Sequence, residues 1–354
     1  MTGLINQLSK RLHGTGLGLI AFALSGVVGL GLAAIFTIFK GPLFAGSYLQ
    51  AYAAWGVFSF VMGWGQHFSS LRDNAHTAFQ NPETRKSKNA FIDGDHFIGL
   101  ITFNLIVAFG LFFVFHMMFK IFENALSNIL LVVACVVFAQ NKLISFALIG
   151  QDQINKVATG QILRSASMFS IGIFYVLLDV SRANIPLLIL ISELVTTVYQ
   201  HRQIPWAYKT PSLAGFNKFF RYFTKSLPFC LGDVNYEFGP KIQTLIVAMM
   251  LPELQAARLA FIFAAIEVIP QMSVVFRNKH NGMMLKFQDT ENQDIVKQRL
   301  AFFRLFSVFI WLSASAVLIV VLGYIFLMVE PEFKTNYTIG LLLVVTPFLI
   351  LGKY

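Results

Sequence analysis

The sequence has little charge for its length. Only 12% of its 354 residues are Asp, Glu, Lys or Arg, whereas a soluble domain carries about 25%. The residues are 56% hydrophobic and the mean hydropathy is +0.67. The apolar runs are continuous and about 20 residues long, as membrane-spanning helices require, and they lack the shorter alternating segments of a β-barrel. The sequence therefore predicts an all-α polytopic membrane protein.

Cysteines and catalytic motifs are scarce as well. The two cysteines, Cys135 and Cys230, both fall inside apolar runs, where a free cysteine usually packs as a small hydrophobic residue. The sequence has no P-loop, no HExxH motif and no glycine-rich dinucleotide turn. We therefore expect no disulfide, no metal site and no cofactor, and we do not expect an enzyme.

About ten apolar runs are long enough to cross a bilayer. They lie near 17–39, 43–68, 96–118, 127–148, 164–182, 185–201, 227–250, 257–276, 303–328 and 335–352. If the N-terminus is inside the cell, the polar stretches 69–95, 202–226 and 277–302 face the cytoplasm, where Lys and Arg are enriched. This bias predicts a cytoplasmic N-terminus. It also explains the net charge of +10 by topology, so nucleic-acid binding is not expected.

A basic stretch containing prolines divides the spans into two groups. Residues 202–226 contain Pro205, Pro211 and several Lys and Arg residues, a composition typical of a linker. We predict an N-terminal six-helix lobe at 1–201, a basic cytoplasmic linker at 202–226, and a partial C-terminal lobe of four helices at 227–354.

The seventh run carries three charges inside a segment of spanning length. Asp233, Glu237 and Lys241 follow a spacing of four residues, which places them on one face of a helix over two turns. Each charge costs about 2.5–3.5 kcal/mol at the centre of a helix surrounded by lipid. We therefore expect this face to line a polar interior, and Pro240 is expected to kink the helix.

Four stretches of the sequence resemble a known family. They read FKGPLFAGSYLQAYAAWGVF, ALIGQDQINKVATGQIL, FRYFTKSLPFCLGDVNYEFGPKIQTLIVAMMLPEL and AARLAFIFAAIEVIPQMSVVF, within residues 15–280. In their order and spacing they are similar to the Wzx-type polysaccharide (O-antigen) flippases of the MOP superfamily. The resemblance implies a MATE-like bundle of two six-helix lobes, so the second lobe is expected to be incomplete here, with the chain short at its C-terminus.

The resemblance also implies a function and a location. The expected cargo is a lipid-linked oligosaccharide carried on undecaprenyl diphosphate, which would move from the cytoplasmic to the outer leaflet of a bacterial inner membrane for synthesis of cell-surface polysaccharide or lipopolysaccharide. Membrane lipid and other polysaccharide-assembly proteins are the expected partners. Alternating access about a central cavity would carry the cargo across.

Six residues are candidates for the site that this function needs. We expect Lys241, Lys142 and Arg258 to meet the diphosphate. We expect a carboxylate among Asp233, Glu237 and Glu267 to carry a coupling ion.

Structural roles remain open for the same side chains. Glu237 and Lys241 could neutralise each other, Lys142 could extend its ammonium to the membrane interface, and Arg258 could anchor to headgroups. Glu193, near the middle of the sixth span, is a further intramembrane carboxyl that is expected to face inward.

Two other functions fit parts of the sequence. A drug exporter of the same superfamily would favour an acidic and aromatic cavity, whereas Lys142 and Lys241 favour an anionic cargo. A membrane glycan O-acyltransferase would match the length and would need an acid–base histidine. His76 and His201 are the candidates for that role, but the sequence places no cluster of partners beside either one.

Overall fold

The computed structural model describes residues 2–80, 92–119, 122, 124–204, 206–207, 217, 219–228, 230, 239–264, 313 and 316. The helices in chain order are α1 (Thr2–Lys40), α2 (Pro42–Gly63), α3 (Gln66–Gln80), α4 (Gly94–Phe113), α5 (Ala125–Gly150), α6 (Ile154–Leu177), α7 (Ile185–His201), α8 (219–228), α9 (Gly239–Met250) and α10 (253–264). A π-helical segment, Val114–Phe119, extends α4, and a 3-10 turn, Arg182–Asn184, precedes α7. Within the described part, the extended structure is one short parallel pair in which Ile92–Asp93 aligns with Trp206–Ala207.

Four of the described helical segments are long and apolar enough to cross a membrane. They are Phe97–Met117, Ala125–Gly150, Ile154–Leu177 and Arg182–His201, and they match the predicted third to sixth spans. The prediction of an all-α polytopic membrane protein is confirmed. The predicted span 335–352, all of 303–328 except residues 313 and 316, and residues 265–276 of the eighth span lie outside the described residues.

The fifth span begins ten residues earlier than its hydropathy indicates. We predicted a start at Arg164, but α6 begins at Ile154, so its first third is a polar helix. Val157, Ala158 and Gly160 of this part are buried where α6 packs against its neighbours, while Asn155 is exposed and Lys156, Thr159 and Gln161 are partly exposed. Arg164, which the predicted topology placed at a cytoplasmic boundary, is instead a buried residue inside a helix.

The second predicted span, 43–68, is bent rather than straight. Trp64 and Gly65 have φ angles of 45° and 68°, which ends α2 and lets α3 leave at a new angle. Gly65 is required at this bend, because a Cβ there would lie 2.8 Å from the Ser226 carbonyl oxygen and 2.9 Å from the Cys230 amide nitrogen. The end of the predicted linker and the residues just after it therefore pack directly on the bend.

Helices α2 and α3 together run alongside α5. The rings of Trp55 and Phe138 are 4.4 Å apart, and farther along the pair the rings of Phe68 and Phe146 are 5.3 Å apart. We name the two ends of this bundle after the turns that they contain. The Gly41 end holds the α1–α2 turn, and the Gly150 end holds the α5–α6 turn.

Polar contacts close the bundle at the Gly41 end. Lys40 pairs with Asp179 of the α6–α7 turn, and Arg182 of the same turn pairs with Glu253 at the start of α10. The hydrogen bond from Lys40 and its positive charge lower the pKa of the Asp179 carboxyl. This contact therefore contributes stability above the ordinary aspartate pKa, and the contribution is lost as the pH falls through the lowered value.

The apolar side chains divide between the interior and the lipid. Residues such as Tyr48, Phe36 and Leu131 are fully buried in the principal core around α2 and α5. Exposed apolar residues instead cover the outer surface of α4 and its π-helical extension, and they are Leu105, Ile106, Phe109, Phe113 and Met117. An apolar surface of this kind faces hydrocarbon in a membrane protein.

Replacing Gly150 by alanine tests the packing of α3 against α5. The added Cβ would lie 2.5 Å from the Leu71 carbonyl oxygen and 2.8 Å from the Asn74 Cβ, and these atoms belong to or adjoin the backbone of α3. We expect a loss of about 1–3 kcal/mol from overpacking, measured by thermal unfolding in detergent. Gly110→Ala is the matched control, because nothing lies within 4 Å of its Cβ position. Equal melting temperatures for the two variants would contradict the packing.

Candidate functional site

A buried ion pair joins α6 to α7 at mid-depth in the bundle. Arg164 Nε lies 2.7 Å from Glu193 Oε1, and the two side chains are 6% and 0% exposed. The Arg164 N–H does not point along this line, so the contact is an ion pair rather than an aligned hydrogen bond. Glu193 lies eight residues from either end of α7, which is about 12 Å along the axis. Both charges are therefore well inside the hydrocarbon layer.

Hydrogen bonds extend this ion pair to α5. Asn141 Nδ2 donates to Glu193 Oε2 at 2.7 Å and to the Glu193 carbonyl oxygen at 3.1 Å, while Thr197 Oγ1 donates to Asn141 Oδ1 at 2.9 Å. One turn nearer the Gly150 end, Gln200 Nε2 donates to Ser145 Oγ at 2.7 Å. The network fixes the register of α5 against α7, because Asn141 of α5 bonds to Glu193 and Thr197 of α7 while Ser145, one turn later, bonds to Gln200.

Two aromatic rings lie near the Arg164 guanidinium. Its Cζ lies 4.7 Å from the centroid of the Phe138 ring and 5.9 Å from that of Trp55. The Lys142 ammonium lies 3.0 Å from the Phe60 centroid and 5.4 Å from the same Phe138 centroid. Phe138 therefore stands between two cations, and the negative faces of these rings stabilise positive charge in a medium of low dielectric.

A third cation, on α9, approaches helix α2. Lys241 is buried, at 8% exposure, and it packs on Gly56 of α2. A Cβ on Gly56 would lie 2.7 Å from its Cδ, 2.8 Å from its Cε and 2.9 Å from its Nζ, so the side chain occupies the space that the missing Cβ leaves. This close approach requires glycine at position 56.

Lys142, Arg164 and Lys241 form what we call the cationic cluster. They come from three helices, α5, α6 and α9, and all of them meet α2 within the segment Trp55–Phe60. Cations are costly inside a membrane and in known membrane proteins they mark ion or substrate pathways. The nearby carboxylate, Glu193, is engaged by Arg164 and Asn141. The chemistry that the cluster can supply is recognition of an anion.

Two of the six predicted site residues lie close to the same segment of α2. Lys241 and Lys142 approach the same helix, four residues apart along it. Arg258 does not join them, because its neighbour Ala257 packs at Gly46, ten residues before Gly56 and thus about 15 Å along α2. Asp233, Glu237 and Glu267 lie outside the described residues.

Arg164 and Asn141 are members of the site that the sequence analysis missed. Because we predicted that the fifth span starts at Arg164, we interpreted this residue as a boundary residue and not as an intramembrane cation. A signal was present, because an intramembrane carboxyl such as Glu193 needs a partner of opposite charge at the same depth, and Arg164 is a cation in the preceding helix. Nothing in the sequence distinguished Asn141 from the other polar residues of α5.

The histidines do not form a catalytic group among the described side chains. His201 is half-buried at the end of α7, with Nδ1 3.0 Å from the Thr197 carbonyl oxygen and its ring near Phe97. The side chain of His76 lies outside the described residues. Within the described part, no three His, Cys, Asp or Glu residues are grouped as a metal site would require.

Replacing Glu193 by alanine tests the buried pair. We expect a loss of about 3–5 kcal/mol, because the variant leaves the Arg164 charge buried without its carboxylate. The double variant Arg164→Met with Glu193→Met removes both charges and is expected to be more stable than either single variant. Thermal unfolding in detergent measures the stability of Glu193→Ala, of Arg164→Met and of the double variant. Glu253→Ala, which breaks the exposed pair with Arg182, is the control and should change little, and a Glu193→Ala protein as stable as this control would contradict the assignment.

Comparison with known proteins identifies the fold. No family model and no curated protein sequence matches the chain. An outward-facing multidrug resistance MATE family transporter of the MOP superfamily aligns with 96% of this chain and 82% of its own, at 14% identity and a TM-score of 0.54. A MOP superfamily transporter from Pyrococcus furiosus Vc1, described by the reverse polarity of its binding pocket, aligns with 95% of this chain and 82% of its own, at 14% identity and a TM-score of 0.48. A MATE in complex with Br-NRF aligns with 95% and 81%, at 15% identity and a TM-score of 0.48. The chain is thus a multi-pass membrane protein with the fold of a MATE family transporter of the MOP superfamily.

Proposed function

We propose that the chain is a transporter that moves an anionic lipid-linked oligosaccharide across the membrane by alternating access. The observation that carries the proposal is the cationic cluster, in which Lys142, Arg164 and Lys241 meet one segment of α2. The cargo class that fits is a diphosphate-linked glycan on a polyprenol such as undecaprenol, in keeping with the sequence resemblance to Wzx-type flippases.

The chemistry of the cargo explains why cations are needed at mid-depth. A diphosphate carries at least two negative charges, and no such group crosses hydrocarbon unaided because its desolvation cost is large. Buried ammonium and guanidinium groups offset that cost at the point where it is greatest. Arg164 supplies a planar guanidinium, and the two lysines supply compact ammonium groups on long side chains.

Access to the cluster would come from separation of α2 from the helices that follow the predicted linker. At the Gly41 end, Gly46 packs against Ala257 and Arg182 pairs with Glu253. Near the other end, Gly65 packs against residues 226 and 230. Release at one end alone would expose the cluster to that side. In this proposal 1–201 and 227–354 move as lobes about the linker 202–226, and the Gly150 end faces the cytoplasm of a bacterial inner membrane.

The carboxylates predicted to couple transport to an ion, Asp233, Glu237 and Glu267, keep that role in the proposal. Arg258 is proposed to meet the cargo near the Gly41 end, since α10 carries it beside the contact between Gly46 and Ala257. It would act at a different stage of the passage from Lys142 and Lys241.

Drug export is the second candidate function. One observation favours it, because a solved structure that aligns with this chain at a TM-score of 0.54 is a multidrug resistance transporter. Aromatic rings at Trp55, Phe60 and Phe138 would also suit a flat organic cargo. These rings are already in contact with protein cations, which would repel a cationic drug, so we favour the anionic cargo.

Substitution of Lys241 distinguishes these functions. In a bacterial strain that lacks its own flippase, we expect the chain to restore surface polysaccharide, Lys241→Ala to abolish this rescue, and Lys241→Arg to retain part of it. Arg202→Ala, which removes an exposed basic side chain just after α7, is the matched control and should leave rescue intact. Protein levels are compared by immunoblot.

Three results would count against the anionic cargo. They are no rescue by a well-expressed chain, equal rescue by Lys241→Ala and Lys241→Arg, and resistance to a cationic dye that rises in Lys241→Ala. The last of these would support drug export instead.

Gly56→Ala tests the position of Lys241 without changing any charge. The new Cβ would displace the ammonium group by occupying its space, while the stem of the lysine remains flexible enough to move. We expect weaker binding of a short-chain polyprenyl diphosphate to the purified protein, with a melting temperature close to that of the unaltered chain. Gly110→Ala, with open space at its Cβ position, should bind normally. Unchanged binding in Gly56→Ala would separate Lys241 from the diphosphate site.

A further inference from the structure

Helix α8 has one face packed against the bundle near the Gly150 end. Phe219 is buried, at 5% exposure, and the ring of Phe223 stacks on Trp64 with centroids 4.7 Å apart and planes 1° apart. One turn later, the hydroxyls of Ser226 and Ser69 lie 2.7 Å apart. These contacts attach α8 to the bend between α2 and α3.

The remainder of the α8 surface is exposed and divides into two sectors. Phe220 and Leu227 are 52% and 41% exposed, and a spacing of seven residues places them on the same side of a helix. Arg221 and Lys225 are exposed as well, and their spacing of four residues makes them neighbours on an adjacent side. An apolar strip and a basic strip therefore run side by side, both facing away from the protein.

The position of α8 along the chain places it at the surface of the bilayer. The apolar run that the sequence predicts as the seventh span, 227–250, is long enough to cross the hydrocarbon core. Residues 219–228 of α8 lie at the start of that run. Trp64, against which α8 packs, is a residue type enriched at the membrane interface, which agrees with this depth.

We propose that α8 is an interfacial helix that binds the headgroups of anionic phospholipids in the leaflet at the Gly150 end. Phe220 and Leu227 would enter the acyl region, while Arg221 and Lys225 would meet the phosphates. This combination of an apolar strip beside a basic strip is the pattern of helices that lie in the headgroup layer, and basic residues at that depth attract anionic lipid. The opposite charges of the basic strip and the lipid phosphates identify the occupant.

The proposed contact is separate from the transported cargo and holds for either function. Its consequence is mechanical, because α8 leads into the segment that ends in α9, and α9 carries Lys241. A headgroup contact at α8 would hold the start of that segment at a fixed depth and so support the depth of Lys241 beside Gly56.

The test measures which lipid surrounds α8 in the full chain. Thr224→Cys places an exposed thiol between the two strips and is labelled with an environment-sensitive dye, while the native cysteines are buried and the unaltered chain gives the background. The protein is placed in nanodiscs of phosphatidylcholine and phosphatidylglycerol in equal amounts. Bromine atoms on the acyl chains of one lipid at a time report its proximity by quenching.

We expect phosphatidylglycerol to quench more strongly than phosphatidylcholine, with an enrichment of up to about fivefold for each basic residue. Arg221→Gln with Lys225→Gln should bring the ratio of the two to near one. The matched control, Arg72→Gln with Arg202→Gln, removes two exposed charges elsewhere and should keep the ratio. Phe220→Ser should weaken quenching by both lipids while preserving their ratio.

Three outcomes would overturn the proposal. A ratio of one in the unaltered helix would mean that α8 has no preference for anionic lipid. An equal fall in the control variant would assign the effect to overall charge. Absence of quenching by either lipid would mean that α8 faces water or another protein.

Discussion

The buried pair of Arg164 and Glu193 is the constraint on which the rest of the described bundle depends. Two charges in a low-dielectric interior are tolerated only when they meet each other and when their remaining hydrogen-bonding groups are satisfied. That requirement sets the rotation of α6 and α7 about their axes. Asn141 then sets α5, because its amide donates to both the side chain and the backbone of Glu193.

Once these helices are fixed, the geometry of α2 follows. The Arg164 guanidinium also lies near the rings of Phe138 and Trp55, whose negative faces stabilise its charge. Those rings are in contact with each other, so α2 is drawn against α5. The same segment of α2 then offers Phe60 to Lys142 and the open space of Gly56 to Lys241. A structural ion pair and a candidate binding site are therefore parts of one arrangement, which explains why the cations converge at a single depth.

The sequence predicted the parts of this arrangement that depend on composition. Long apolar runs identified the helices, and Lys241, on the charged face of the seventh run, is buried in the structure. It could not predict the start of α6, because hydropathy measures the preference of a side chain for lipid, and the polar residues after Ile154 lie in a helix that packs on its neighbours. The contact of Lys142 with Phe60 could not be predicted for the same reason. A lysine near the end of an apolar run looks the same in the sequence whether its ammonium reaches water or a phenyl ring. The partner of Gly56 could not be predicted either, because a glycine in a helix shows only that something approaches closely.

The basic residues discussed above lie at two depths, and we infer a different role for each depth. At the surface, Arg221 and Lys225 are exposed on a helix with an apolar strip beside them, where the attraction of anionic headgroups is worth little per charge but is added to burial of apolar area. In the interior, Lys241 is buried against Gly56, where a single ammonium has a much stronger interaction with an anion because water does not screen it. Both sites belong to the continuous segment from α8 to α9. If α8 is anchored by anionic headgroups, the depth of the phosphate site at Lys241 of α9 would depend on the depth of that anchor, and a shift of α8 would shift the site with it.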